Sequence, residues 1–245
     1  MTSAPGTLYG VGVGPGDPEL MTLKAARCIA NVPVVAYFAA RRRPSNARRI
    51  AAGLITAGHT ELLFEYPVTT EVLAAEDSYE DLLLGCYDES AARVEAELVA
   101  GRDVAVLCEG DPLFYGSYMY IHNRLAARFT TRVVPGISSL TAGAAAIARP
   151  LACGDELLSV LSGVMSTDDL KQALVACDAA VIIKIGRNLT KVREVIESVG
   201  LIDRAWYVER ASHEAEVCAP LADADASRAP YFSMIVIPSA VAGLR

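Results

Sequence analysis

Three short segments carry most of the chain's chemical potential: Gly14-Pro15-Gly16-Asp17-Pro18, Glu109-Gly110-Asp111-Pro112-Leu113-Phe114-Tyr115-Gly116, and Pro135-Gly136-Ile137-Ser138-Ser139. Each follows an apolar run with the character of a strand. Glycine at a strand end lets the backbone turn sharply or come close to a ligand. In a mostly parallel sheet, ligands gather at the carboxyl ends of the strands, so these turns predict one composite small-molecule site. Asp17 can cap a following helix with Pro18 at its first position, and Asp111-Pro112 repeats that pattern. Phe114 and Tyr115 suit either a core or the flank of an adenine or a methionine side chain. Ser138 and Ser139 are helix starters whose hydroxyls can also meet polar ligand atoms. Neither G-x-G-x-x-G register closes, because counting from Gly10 reaches Pro15 and counting from Gly12 reaches Asp17, and no G-K-[ST] is present.

Five arginines, Arg41, Arg42, Arg43, Arg48 and Arg49, stand together in a chain whose formal net charge is -7. Such a run is commonly a solvated loop, yet guanidinium binds carboxylate through paired hydrogen bonds and so also suits a polycarboxylate ligand. The acidic balance argues against nucleic acid as a partner. Apolar stretches are interrupted well before the roughly 20 residues that span a bilayer, and no basic start precedes an apolar block, so a cytoplasmic protein without membrane contact is expected. The six cysteines contain no C-x-x-C pair and the three histidines share no ligand spacing. Buried, reduced thiols and no metal centre are the expectation.

The elements that must position these turns alternate. Strands are expected at Leu8 to Val13, Val32 to Phe38, Glu61 to Glu65, Asp103 to Cys108 and Thr131 to Val134. Helices are expected at Leu20 to Asn31, Asn46 to Ala57, Asp88 to Ala100 and Ser117 to Ala127. That alternation predicts right-handed crossovers and a parallel sheet covered on both faces, in a first domain over 1–136. A second α/β domain over 137–245 has helices at Ser139 to Ala148, Asp168 to Val175 and Lys191 to Val199. Its strands are expected at Leu157 to Leu161, Ala179 to Ile185, Ala205 to Glu209 and Tyr231 to Ile237. No clear helix joins the last two strands, so that sheet should be mixed.

Val11-Gly12-Val13-Gly14-Pro15-Gly16-Asp17-Pro18, Gly110-Asp111-Pro112, Pro135-Gly136-Ile137-Ser138-Ser139 and Val208-Glu209-Arg210-Ala211, in this order, resemble the tetrapyrrole methylase family, the class III S-adenosylmethionine-dependent methyltransferases. The resemblance covers essentially the whole chain. It implies two α/β domains meeting at a cleft, a homodimer, and S-adenosylmethionine held folded between the domains. It implies cofactor contacts at Pro15, Glu109, Gly110, Asp111, Phe114, Ser138, Ser139, Lys184 and Ala211. Lys184 stands where the family more often has a neutral side chain, which leaves a backbone contact there. An anionic tetrapyrrole would meet Gly14, Gly16, Arg41, Arg42, Arg43 and Arg48. Asp17 would handle the proton released on methylation, with Tyr115 or Tyr118 behind it, and no metal is needed. Tyr37-Phe38-Ala39-Ala40 and Tyr118-Met119-Tyr120 point, within the family, to precorrin-2 as substrate, with cobalt-factor II as the rival. Other readings are a methylase of ribosomal RNA or of a modified histidine, a nucleotide- or flavin-binding module, and a noncatalytic tetrapyrrole carrier.

Overall fold

The computed structural model describes residues 4–67, 79–225 and 229–240. The chain divides into two compact units, Met1–Ser138 and Ser139–Arg245. The first contains β1 (Leu8–Gly12), α1 (Leu23–Asn31), β2 (Val34–Ala40), α2 (Asn46–Ile50), β3 (Thr60–Tyr66), α3 (Tyr79–Val99), β4 (Val104–Cys108), α4 (Tyr118–Leu125) and β5 (Thr131–Val134). Its five strands are all parallel, in the order β3-β2-β4-β1-β5. Side chains alternate between the two faces of a strand. Leu8, Val34, Ala36, Val104 and Val106 therefore pack on α3 and α4 through Val94, Leu98, Ile121 and Leu125. Val11, Val35, Ala105 and Leu107 pack on α1 and α2 through Ala25, Ile29, Ala47 and Ile50. With both faces covered, the strands read as continuous apolar runs.

Three helix boundaries differ from expectation. Pro18–Leu20 forms a separate 3-10 turn, and α1 starts only after Thr22, whose hydroxyl accepts from Ala25 N. The second helix stops at Ile50 and gives way to a 3-10 turn at Ala52–Leu54, where Gly53 is a poor helix former. The third helix runs 21 residues from Tyr79 instead of starting at Asp88; Gly85 hid its continuation. Thr69 to Tyr79 reads in the sequence as a polar stretch, and all of it but Tyr79 lies outside the described residues.

The second unit contains α5 (Ser139–Ala146), β6 (Leu158–Ser162), α6 (Thr167–Val175), β7 (Ala179–Ile183), α7 (Leu189–Ser198), β8 (Trp206–Glu209), β9 (Val217–Pro220) and β10 (Ser233–Ile237). Its sheet has the order β6-β7-β10-β8-β9 and is mixed, as expected. The β6–β7 pair is parallel, whereas β10 runs antiparallel to β7 and β8. One face packs on α6 and α7 through Ala180, Ile182, Tyr207 and Ile235. The other packs on α5 through Val181, Val208 and Val236. The edge strand β9 was not anticipated from sequence: it is four residues long, half exposed and ends in proline, which an edge tolerates. Strand β7 stops two residues early because Lys184 adopts a left-handed φ of 56°.

Candidate active site

In the first unit, β1 leads to α1 on one face of the sheet, while the adjacent β4 leads to α4 on the other. The carboxyl ends of such a strand pair form a crevice where open α/β sheets bind ligands. The first two turns lie there and are joined directly. Gly110 N donates to Gly14 O at 2.8 Å, and Val13 N donates to Cys108 O at 2.9 Å. Gly14 and Gly110 hold φ of 86° and 65°, a region that favours glycine.

The third turn packs against them. A Cβ on Gly12 would lie 2.5 Å from Gly110 O and 2.6 Å from Gly136 Cα, and one on Gly136 would also collide with Gly110 O. Gly12, Gly110 and Gly136 are thus required by the approach of three backbone segments to one another. Asp111 fastens the arrangement, Oδ1 accepting from Leu113 N at 2.9 Å and Oδ2 from Gly136 N at 3.0 Å. The carboxylate expected to line a cofactor thus ties the second turn to the third.

After Asp111 the chain folds tightly, so that Phe114 and Tyr115 meet edge to face at 4.9 Å. Both rings are exposed, at 38% and 51%, and Tyr115 holds a φ of 56°. A left-handed aromatic residue is strained by roughly 1–3 kcal/mol. Glu109, the residue before Gly110, behaves differently from Asp111. Burial pushes its carboxyl up to about 7, against the opposing pull of a hydrogen bond from Asn46 and the charge of Arg49. Asn46 and Arg49 come from α2, so the carboxyl ties the second turn to the arginine segment. Sequence reading missed Asn46; its signal was only that it opens the helix that carries the arginines.

The arginine run divides in two. Arg48 Nε and Nη2 donate to Glu61 at 2.6 and 3.2 Å, and Tyr37 OH donates to the same carboxylate at 2.7 Å. These bonds, Arg48's foremost, hold the Glu61 carboxyl below its usual range. Arg48, expected on the substrate, is instead engaged by the fold. Arg41, Arg42 and Arg43 lie exposed in the turn after β2, with Arg42 at a φ of 57°. Among the described residues, no carboxylate forms an ion pair with these three.

Two of the expected proton carriers are occupied structurally. Asp17 Oδ1 accepts from Glu19 N at 2.8 Å and caps the 3-10 turn, beside half-buried Pro15 and Gly16. Tyr118 is fully buried, its ring filling the space over Gly10, where a Cβ would lie 2.6 Å from Cδ1. Its hydroxyl faces His122 Nδ1 at 3.1 Å, and burial pushes it up to about 12. Tyr118 is a core residue. The Tyr66 hydroxyl meets Ser117 Oγ at the entrance to α4, and Phe38 stacks on Tyr66.

Ser138 closes the first unit. In the second, Ser139 opens α5, Lys184 is exposed with its carbonyl against Gly163, and Ala211 is buried. Arg210 and Ser212, flanking Ala211, hold φ of 49° and 66°. Arg210 pairs with Glu209, whose Oε2 accepts from Tyr207 OH at 3.0 Å. All six cysteines are free, but only Cys108 is fully buried, contrary to the expectation for the set; burial pushes its thiol up to about 12. Among the described residues, no cluster of three or more His, Cys, Asp or Glu could hold a metal ion.

The model of the tetrapyrrole (corrin/porphyrin) methylases matches residues 7–224. The chain is 46% identical over 233 residues to a precorrin-2 C(20)-methyltransferase from Sinorhizobium, covering 95% of both proteins. It is 48% identical over 236 residues to the cobalamin biosynthesis protein CobIJ of Mycobacterium tuberculosis, covering 96% of this chain and 46% of that protein. The chain thus spans less than half the length of that relative. Among solved structures, it resembles the uroporphyrin-III C-methyl transferase of Thermus thermophilus complexed with S-adenosyl homocysteine. There the TM-score is 0.66 and the identity 24%, with 94% of this chain and 92% of that chain covered. This chain belongs to the tetrapyrrole methylase family.

Proposed function

We propose that this chain transfers a methyl group from S-adenosylmethionine to C(20) of precorrin-2, a step of cobalamin synthesis. The single observation that carries this reading is the identity to the Sinorhizobium enzyme over 95% of each protein. The residues at the turns fit the cofactor: the exposed Phe114 and Tyr115 faces suit a cationic sulfonium. When bound, S-adenosylmethionine supplies a methyl group already activated for transfer. In the first unit Pro15, Gly110, Phe114 and Ser138 hold it, and Asp111 acts by fixing the backbone around it. Catalysis then rests on alignment of the two reactants and exclusion of water.

Arg41, Arg42 and Arg43, exposed and without ion-pair partners among the described residues, grip the acidic substituents of the macrocycle, with Gly14 and Gly16 leaving room beside them. The protein works in the cytoplasm as a homodimer, without nucleic acid, membrane or a metal of its own. Its charge of -7 supports the exclusion of nucleic acid, and no helix among the described residues is long and apolar enough to cross a membrane. Calorimetric titration tests the substrate assignment. The double variant Arg42→Ala/Arg43→Ala should bind precorrin-2 at least tenfold more weakly and S-adenosylhomocysteine within twofold of the parent. Equal loss of both ligands, or loss of neither, would overturn the assignment of the arginines.

A further inference from the structure

The proton released on methylation needs an acceptor near the reacting carbon, and most carboxylates at the carboxyl end of the first sheet are engaged. Asp17 caps a turn, and both Asp111 oxygens accept from backbone N–H groups. Glu65, near the carboxyl end of β3, accepts through Oε1 from Arg42 N at 3.2 Å. Glu109 remains. It follows β4 directly, at the crevice between β1 and β4 and immediately before the residue that bonds to Gly14, and it accepts from Asn46 of the helix after the arginine turn.

We propose that the Glu109 carboxylate accepts the proton that leaves the methylated carbon, with Asn46 and Arg49 positioning it. The proposal rests on the methyltransferase reading given above. As the macrocycle carbon forms its bond to the methyl group, the sulfur–methyl bond breaks and its electron pair stays on sulfur. The C–H bond at the same carbon then breaks, its pair returns to the conjugated ring, and the proton passes to a Glu109 oxygen. The charged group that acts on that carboxyl is Arg49 from α2, and the carboxyl in turn faces the Cys108 thiol on β4. Desolvation makes the carboxylate basic enough to take a proton near neutrality, while Arg49 and the Asn46 amide keep enough of it ionised to do so.

Glu109→Gln preserves shape and hydrogen bonding but cannot accept the proton. Turnover of precorrin-2 should fall at least 100-fold, because a positioned general base typically contributes about 10²–10⁴-fold. Binding of S-adenosylhomocysteine should stay within twofold, and deuterium at the reacting carbon should slow the variant more than the parent. A second readout needs no turnover. The folded-state value near 7 lies above the ordinary 4.5, so the parent loses stability as pH rises through that window. Glutamine does not titrate, so the variant should melt higher than the parent at pH 8 and lose that advantage below pH 4.5. Parental turnover by Glu109→Gln, or parallel loss of turnover and S-adenosylhomocysteine binding, would overturn the proposal. A parent chain that methylates no tetrapyrrole would instead remove the methyltransferase reading, and the proposal with it.

Discussion

Gly136→Ala is expected to lower the affinity for S-adenosylhomocysteine at least tenfold and to reduce the melting temperature of the protein by several degrees. The added methyl carbon would sit on the Gly110 carbonyl and 2.9 Å from Gly12 Cα, all backbone atoms with no side chain that could swing aside. Overpacking of this kind costs roughly 1–3 kcal/mol, and relief would have to come from separating the three turns. Separation would break the Gly110–Gly14 bond and move the residues proposed to hold the cofactor. Gly85→Ala is the matched control. That glycine lies exposed on α3 with nothing within 4 Å of its added carbon. It should gain up to about 1 kcal/mol from helix propensity and leave binding unchanged. Calorimetry and thermal melts on both variants decide the matter. A Gly136→Ala protein indistinguishable from its parent would show that the turns do not depend on close packing.

Asp111→Ala should be comparably damaging by a different route. Its carboxylate is the acceptor for two backbone N–H groups, Leu113 and Gly136, which belong to different turns. Removing a charged acceptor costs about 1.5–3 kcal/mol per hydrogen bond in buried settings, and less for Leu113, which is exposed. A total of roughly 3 kcal/mol is expected, with S-adenosylhomocysteine affinity down tenfold to 100-fold because the second and third turns lose their tie. Asp111→Asn keeps one carbonyl oxygen but turns an amide NH₂ toward the other donor, so it should fall between Ala and the parent. If Asn and Ala variants both bind as the parent does, the carboxylate is a surface group and the positional role is wrong.

Much of this architecture could be read from local grammar. Continuous apolar runs at β1, β2 and β4 announced strands buried on both faces, and the Gly, Pro and Asp clusters after them announced the turns. What escaped reading was contact between distant segments. The glycines looked like space for a ligand, whereas Gly12, Gly110 and Gly136 make space for one another. Arg48 belonged to a run that looked uniform, but only the fold brings Glu61 and Tyr37 beside it. Tyr118 resembled a polar candidate next to the second turn, yet helix α4 turns its ring inward onto Gly10. Strand β9 had no pattern of its own and exists because β8 offers it an edge. Glu109 was noted as a cofactor contact, and its unusual carboxyl became visible only once Asn46 and Arg49 were set against it.

The most direct test of the central claim is an anaerobic incubation of the protein with S-adenosylmethionine and metal-free precorrin-2, run beside cobalt-factor II. Methyl gain is followed by mass spectrometry and its position by carbon NMR. The proposed function predicts a single added methyl at C(20) of the metal-free substrate. Methylation of the cobalt form alone, methylation at another carbon, or no transfer to either macrocycle would contradict it.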